Sequence, residues 1–155
     1  MKRVMFVCMG NICRSPLAEA VFNHVVVKHK ATDRYVADSS GTIGYHAGEH
    51  PDPRMQTVAS GHGVEMSHRA QKLTRKHLEA FDLILCMDRN NLKDARALAR
   101  TAEEKEKVVL FRDFDPEGTG DVPDPYYGGM DGFETVFTMA MRTAQALFNT
   151  LETSS

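Results

Sequence analysis

Four short apolar runs, separated from one another by helical patterns, constrain the fold of this chain more than any other feature. They predict strands over residues 4–7, 35–37, 81–86 and 108–111. The first run is continuously apolar, which is typical of a strand covered on both faces. Because strands that alternate with helices are joined by right-handed crossovers, we expect a three-layer α/β fold with a parallel sheet and helices on both faces. In such sheets, ligands bind beyond the carboxyl ends of the strands.

The last predicted helix is the clearest of the helical patterns. Asp131, with Glu134 three residues later, supplies a capping-box-like start, and an apolar stripe follows. Shorter helices are predicted over residues 54–60, 75–79 and 92–99, and another follows the first strand. The stripe of the last helix comprises Phe133, Val136, Phe137, Ala140, Met141, Ala144, Leu147, Phe148 and Leu151.

The composition excludes several classes of protein. The 155 residues fit a single domain, expected over residues 1–155 because no repeat, linker or low-complexity tract divides them. With 19 basic and 21 acidic residues the formal net charge is -2, so no basic field is available for nucleic acid. No apolar stretch approaches the ~20 residues of a membrane span, and the run at residues 4–9 is too short for a signal peptide. Three cysteines, an odd number, favour a cytoplasmic setting over a secreted disulfide framework.

The segment between the first strand and the first helix, residues 8–16, has the features of an anion site. A helix N-terminus offers unpaired N–H groups and a partial positive charge. Gly10 and Asn11 both tolerate a left-handed backbone, so the loop can curl until successive N–H groups face one centre. Pro16 fits the first helical position, and Ser15 is then expected to be the N-cap. Ser15 has no capping-box partner, which leaves its hydroxyl free for other contacts.

Cys8 and Arg14 give this loop its predicted chemistry. A Cys8 thiolate would be stabilised by the loop amides, by the helix terminus and by Arg14. The planar fork of Arg14 suits two phosphate oxygens. A thiolate that faces a bound phosphate is a nucleophile for phosphoryl transfer, and the same donors stabilise the charge of the transition state. A buried cysteine and a surface arginine without function are the alternative, which the strand–loop–helix context disfavours.

This loop resembles the phosphate-binding loop of the low molecular weight protein tyrosine phosphatases, and the likeness continues in order along essentially the whole chain. The resemblance implies a four-stranded parallel sheet, no metal or cofactor, an oxyanion bound in the loop, and hydrolysis of phosphotyrosine through a phosphocysteine intermediate. The implied partner is a phosphotyrosine-containing protein such as a tyrosine kinase. The segments that carry the likeness are residues 7–16, 18–22, 38–39, 44–45, 51–54, 67–70, 81–88 and 124–128.

Phosphate loss from tyrosine needs an acid for the departing phenolate and later a base for water, and one carboxyl group can do both. The sequence has three Asp-Pro pairs, which begin at Asp52, Asp115 and Asp124. Only Asp124 precedes paired aromatic residues, Tyr126 and Tyr127, in a long loop at the sheet edge expected to hold the nucleophile. Asp124 is therefore the predicted general acid, a role that the resemblance also implies. Asp115 is expected to lie in a rigid surface turn.

The resemblance also assigns residues around this catalytic set. It assigns six residues to the phosphate-binding loop, namely Met9, Gly10, Asn11, Ile12, Cys13 and Ser15. It places in the substrate pocket Met9, Ile12, Tyr45, Tyr126 and Tyr127, and in a supporting hydrogen-bond network Asn11, Ser39 and His68.

Some of these assignments depend on the resemblance alone. From the residues themselves, Met9 and Ile12 fit core packing equally well, and His68 fits an ordinary surface histidine. Met9 and His46 depart from the usual family pattern, which leaves fine specificity open. The resemblance further suggests that Cys13 protects the nucleophile from oxidation through a reversible disulfide with Cys8, a filler thiol being the alternative.

Three other functions fit part of the sequence. Arsenate reductases share the loop and the fold, but they need a relay of thiols, and Cys86, expected to be an inert residue at a strand end, has no cysteine within the ten residues after it. A phosphoryl carrier or phosphate-binding module would hold phosphate on Cys8, yet Arg14 favours catalysis of transfer and Asp124 supplies hydrolysis. A zinc site is weaker still, because the cysteines lack a Cys-x2-Cys pair and Arg14 would oppose the cation.

Overall fold

The strands form the predicted class of fold. A computed structural model describes residues 1–154, and it contains four parallel strands in the order β2-β1-β3-β4. The α/β prediction is therefore confirmed. The longest departure is in β2, which extends four residues beyond the predicted strand because residues 38–41 also pair with β1. The bounds are Lys2–Cys8 for β1, Tyr35–Gly41 for β2, Leu83–Cys86 for β3 and Val108–Leu110 for β4.

Helices connect the strands and cover the sheet. The predicted helices over residues 54–60 and 75–79 are confirmed to within one residue at each end. The helix predicted over residues 92–99 starts three residues earlier, because Asp88 caps it in a box with Asn91, and it also ends three residues earlier. No helix within residues 1–154 is both long and apolar enough to cross a membrane. The bounds are Arg14–Lys28 for α1, Pro53–Gly61 for α2, Arg75–Ala80 for α3, Arg89–Arg96 for α4, Ala102–Glu106 for α5 and Met130–Thr153 for α6, with a 3₁₀ turn at Phe111–Phe114.

Alternate residues of β1 face two separate cores. Val4 and Phe6 pack in a cluster that includes residues of α1 and α6, whereas Met5 and Val7 pack with residues of α3 and α4. All four side chains are fully buried, as the two-residue period of a strand requires for a central strand between two helical layers. Each large apolar side chain buried in this way stabilises the fold by ~1.5–3 kcal/mol. These four side chains therefore hold β1 in place, and β1 gives the loop that follows it a rigid base.

Two predicted helix caps are wrong. α1 begins at Arg14 with Cys13 in the N-cap position, so Ser15 and Pro16 occupy its second and third positions. Ser15 does not cap the helix because its buried hydroxyl contacts the preceding loop instead. α6 has no side-chain cap, and Asp131 lies within its first turn.

The sheet register brings the predicted site residues to one edge. Cys8 ends β1 opposite Gly41 of β2, and Cys86 ends β3 beside Val7. The loop after β1 therefore lies between the ends of its two neighbours. A Cβ atom at Gly41 would lie 2.6 Å from the carbonyl oxygen of Met9, so this close approach of strand and loop requires glycine.

Candidate active site

The loop after β1 wraps around the sulfur of Cys8. The Asn11 N–H donates to Cys8 Sγ at 3.3 Å, and Ser15 Oγ lies 3.0 Å from the same sulfur. Asn11 has a left-handed backbone, with a φ of 58°, whereas Gly10 does not. The curl expected from both residues therefore comes from Asn11. Cys8 is only 3% exposed, so its sulfur reacts only with a group that enters the loop.

Arg14 is aimed into the same loop by acceptors beyond the end of β3. Its Nη1 donates to Asp88 Oδ2 at 2.7 Å and to the Val122 carbonyl at 3.0 Å. A guanidinium that is only 4% exposed needs such partners, because an unpaired buried charge is costly. Its Nη2 lies 3.7 Å from Asp124 Oδ2. Arg14 thus offers a cation at the point where Cys8 and Asp124 converge.

Asp124 reaches the loop because the chain before it follows the end of β3. The Val122 N–H donates to the Met87 carbonyl at 2.7 Å. Asp124 Oδ1 accepts the Tyr126 N–H at 3.0 Å. The other carboxylate oxygen, Oδ2, is the one that faces Arg14. The Asp124 side chain is 40% exposed, so water can approach the carboxyl group that lies across from the nucleophile.

A pocket with a volume of about 260 Å³ opens over the loop. It includes all five residues predicted to form the substrate pocket, together with His46, whose Nδ1 lies 2.9 Å from Glu49 Oε2. Tyr45 and Tyr127 are almost fully exposed at the rim, where a flat ligand would cover their rings. The residues that line the pocket are Cys8, Met9, Gly10, Ile12, Cys13, Arg14, Tyr45, His46, Asp124, Tyr126 and Tyr127.

The side chain of Asn11 is the centre of a buried hydrogen-bond network. Its Nδ2 donates to Ser15 Oγ at 2.8 Å and to Ser39 Oγ at 3.1 Å. Its Oδ1 accepts the Gln71 N–H at 2.9 Å and lies 2.8 Å from His68 Nε2, which therefore acts as the donor. The structure brings together every residue predicted for the supporting network, and it adds Gln71.

Beneath this network, three titratable groups lie together. His68 Nδ1 is 3.2 Å from Glu19 Oε1 and 3.5 Å from Asp38 Oδ1, and the Ser39 hydroxyl donates to Glu19 at 2.6 Å. Burial raises the pKa of Glu19 to about 7, and burial lowers the pKa of His68. One ligand atom from each of the three lies within 4.8 Å of the others. This spacing would suit a metal ion, but Glu19 and His68 already have partners in the network that supports Asn11.

The three cysteines are free thiols. Burial, followed by the negative charge of Asp52, raises the pKa of the Cys13 thiol far above its ordinary value. Cys13 is therefore held as a neutral thiol within the loop. Cys86 is fully buried, and burial likewise raises the pKa of its thiol, which fits the inert role predicted for it.

The expectation that Asp115 lies in a surface turn is wrong about its exposure. The residue does start a turn, in which the Gly118 N–H donates to its carbonyl. Its side chain, however, is 0% exposed and pairs with Arg142 and Arg112 at 2.8 Å each. Hydrogen bonds from Arg142 outweigh burial and hold the pKa of Asp115 well below its ordinary range. This carboxylate is bound within the fold, so it is not available as an acid in the pocket.

A family model described as low molecular weight phosphotyrosine protein phosphatase matches residues 3–155. The chain belongs to this family.

Relatives and solved structures agree with the assignment to these phosphatases. The low molecular weight phosphotyrosine protein phosphatase of Homo sapiens is 42% identical over 146 residues, which cover 94% of this chain and 92% of that relative. The low molecular weight protein-tyrosine-phosphatase of Streptomyces coelicolor is 44% identical and covers 94% of this chain and 90% of its own. A crystal structure of a protein tyrosine phosphatase from Entamoeba histolytica superposes with a TM-score of 0.96 at 35% identity and covers 99% of both chains.

Sequence reasoning missed several residues of this phosphatase site. Asp88 carried a usable signal, because it is a polar residue beyond the carboxyl end of β3. Asp38 follows the strand predicted over residues 35–37, but in the structure it lies within β2. Glu19 and Gln71 carried none, because a polar residue on a helix or in a loop is ordinarily solvated. Only the folded chain shows that they meet Asn11, Ser39 and His68.

Proposed function

We propose that this member of the family hydrolyses phosphotyrosine in proteins through a phosphocysteine intermediate on Cys8. The observation that carries the proposal is the convergence of a sulfur that accepts a loop N–H, a buried guanidinium and a carboxyl group at one pocket. The catalytic residues proposed are Cys8, Arg14 and Asp124.

In the first half of the reaction, the phosphate of the substrate binds within the loop and against Arg14. Cys8 Sγ attacks phosphorus, so that an S–P bond forms as the bond between phosphorus and the tyrosyl oxygen breaks. The electron pair of the broken bond passes to the phenolate oxygen, and protonated Asp124 gives that oxygen its proton. The loop N–H groups and Arg14 stabilise the charge on the transferring group.

In the second half, water attacks the phosphorus atom of the phosphocysteine. Asp124, now a carboxylate, accepts a proton from that water, and the electron pair of the S–P bond returns to Cys8 Sγ. The Ser15 hydroxyl lies 3.0 Å from the sulfur, and its oxygen already accepts from Asn11 Nδ2. Its one hydrogen can point to the Ser40 carbonyl, a long contact of 3.4 Å, or turn to the departing thiolate, whose negative charge makes it the stronger acceptor. The products are tyrosine and inorganic phosphate.

The pocket supports a phenolic substrate. Tyr45, Tyr126 and Tyr127 surround its mouth with aromatic faces, and Met9 and Ile12 complete its apolar wall. The proposed partner is a phosphotyrosine-containing protein such as a tyrosine kinase. We propose further that residues 1–155 act as one phosphatase domain, and the free thiols support a reducing, cytoplasmic setting.

The arsenate reductase alternative finds no support in the cysteines. That chemistry needs further thiols to reach the nucleophile, yet Cys86 is fully buried at a strand end and burial keeps its thiol protonated. Cys13 is the one other cysteine at the pocket. The Asp124 carboxyl group, in contrast, has a direct purpose in ester hydrolysis.

Turnover of p-nitrophenyl phosphate tests the nucleophile. We expect Cys8→Ser to abolish hydrolysis, because a serine hydroxyl in this loop is a far weaker nucleophile than the thiolate. The matched control is Cys86→Ser, which makes the same replacement of sulfur by oxygen away from the pocket. Circular dichroism measures the folded fraction of each variant, so that turnover is compared per folded molecule. Turnover retained in folded Cys8→Ser would refute the proposal.

Oxidation tests the protective role proposed for Cys13. After mild peroxide treatment, mass spectrometry of the wild-type chain should show a disulfide between Cys8 and Cys13, and thiol reductant should restore activity. Cys13→Ser should instead lose activity irreversibly as Cys8 passes to sulfinic acid. Equal recovery of both proteins would contradict the role.

A further inference from the structure

The guanidinium of Arg54 lies between a buried carboxylate and two aromatic rings. Its Nε and Nη2 donate to the two oxygens of Asp52 at 3.1 and 2.8 Å. Its central carbon lies 4.6 Å from the centre of the Phe133 ring and 5.3 Å from that of Tyr126. Both distances are within the ~6 Å of a cation–π contact. Arg54 does not line the pocket. Its contacts with Asp52 and the two rings therefore have a role other than direct binding of the substrate.

Asp52 joins Arg54 to the phosphate-binding loop. The Asp52 N–H donates to the Ile12 carbonyl at 2.7 Å, and the Asp52 carboxylate caps α2 by accepting the Arg54 N–H at 2.8 Å. Burial alone would raise the pKa of Asp52, but the hydrogen bonds from Arg54 outweigh it and leave this pKa below its ordinary value. Asp52 is therefore a fixed anion beside the loop, and a bidentate pair with it sets the plane of the guanidinium.

The two rings join Arg54 to the loop that carries the general acid. Tyr126 follows Asp124 by two residues, and its N–H holds Asp124 Oδ1 at 3.0 Å. Phe133 is fully buried near the start of α6, where that loop ends. One guanidinium thus contacts both the acid loop, here the segment of residues 122–129 that carries Asp124, through Tyr126 and the helix that follows this loop through Phe133.

We propose that Arg54 is a positioning residue for the general acid. Arg54 fixes the position of Tyr126, and through Tyr126 that of Asp124, relative to Asp52. Asp52 is the anion that contacts the phosphate-binding loop. This inference rests on the proposed function, because it requires Asp124 to protonate the leaving group. Without Arg54 the ring of Tyr126 loses its cation–π contact and keeps the edge-on contact with Tyr127, which belongs to the same loop, so the acid loop shifts. A shift of ~1 Å in a reacting group can cost ~10²-fold in rate.

A series of aryl phosphates separates positioning from a general structural role. The dependence on an acid grows with the basicity of the phenol, so phenyl phosphate needs Asp124 more than p-nitrophenyl phosphate does. In Arg54→Leu we expect kcat/KM to fall ~10–100-fold for phenyl phosphate and at most ~3-fold for p-nitrophenyl phosphate. Arg54→Lys keeps the charge but loses the planar fork and its stacking, so it should show the same selective loss.

Two further variants control for folding. Phe133→Leu leaves Arg54 and Asp52 in place and keeps the buried site apolar, but it removes one ring from the guanidinium; it should also affect phenyl phosphate more than p-nitrophenyl phosphate. Arg34→Leu removes an arginine that pairs with Glu152. Arg34 directly precedes β2, at the amino end of the strand and away from the active site. The ratio of the two rates should not change in Arg34→Leu.

The double variant Arg54→Leu, Asp124→Asn decides whether the two residues act on one step. If Arg54 acts through the acid, the double variant should lose no more on phenyl phosphate than Asp124→Asn alone. Equal losses on both esters in the Arg54 and Phe133 variants, or additive losses in the double variant, would overturn the inference. If Asp124→Asn itself lowers both rates equally, the acid assignment of the proposed function fails instead, whatever the Arg54 variants show.

Discussion

At the scale of single residues, Asn11 determines the geometry of the nucleophile loop. Its backbone has a φ of 58°, a conformation that disfavours side chains with a Cβ. Four hydrogen bonds of its side chain hold it there, and its own N–H points at the sulfur. The side chain therefore stabilises the backbone conformation in which the Asn11 N–H donates to the sulfur of Cys8.

Substitution of Asn11 separates these two contributions. We expect Asn11→Ala to lower kcat/KM for p-nitrophenyl phosphate by ~10²-fold, because both the network and the left-handed backbone are lost. Asn11→Gly should lose less, because glycine retains access to positive φ. Lys30 also has a positive φ, of 55°, but lies away from the pocket, so Lys30→Gly should leave the rate unchanged. A larger loss in Asn11→Gly than in Asn11→Ala would contradict this explanation.

At the scale of secondary-structure elements, α6 is tied to the 3₁₀ turn by the ion pairs of Asp115. Arg112 and Arg142 are 16% and 24% exposed, and Arg142 also pairs with Glu117, so removal of the carboxylate costs on the order of 2 kcal/mol rather than the larger cost of a fully buried pair. We expect Asp115→Ala to lower the free energy of unfolding by about this amount, measured by urea denaturation, with kcat/KM per folded molecule nearly unchanged. The opposite pattern, a stable protein with lost turnover, would assign catalytic importance to Asp115 rather than to Asp124.

The same scale shows what the sequence could and could not predict. Strands and long helices were predictable because their apolar periods are short-range properties of the chain. The starts of α1 and α4 were not, since they depend on contacts of Ser15 and Asp88 that only the folded loop defines. In the site, Cys8 and Arg14 belong to one contiguous motif. Contacts such as that of Arg54 with Tyr126 join segments about seventy residues apart, and no local pattern indicates them.

At the scale of the whole molecule, the site rests on a buried acid whose charge depends on pH. Glu19 on α1, Asp38 and Ser39 on β2, and His68 on the loop before α3 meet below the phosphate-binding loop. Because Glu19 has an elevated pKa, the stability of the fold and the charge beneath the active site change together in the neutral range.

The sign of this dependence follows from the direction of each pKa change. The folded pKa of Glu19 is about 7, against an ordinary 4.5, because burial disfavours its charged form. The stability that this group contributes is therefore fully present below about 4.5 and is lost as the pH rises to about 7. Burial lowers the pKa of His68, so its contribution has the opposite sign and is lost as the pH falls below its ordinary value of 6.5.

We expect the Glu19 contribution to dominate between pH 4.5 and 7. The free energy of unfolding, measured by urea denaturation at several pH values, should fall across this range by an amount on the order of 3 kcal/mol. Glu19→Gln keeps the acceptor oxygen for Ser39 but cannot ionise, so its curve should be flatter than that of the wild-type chain. Glu134→Gln removes an exposed carboxylate that pairs with His62 and should leave the wild-type slope in place. Parallel curves for the wild-type chain and Glu19→Gln would show that Glu19 does not titrate in this range, and the explanation of the pH dependence would then be wrong.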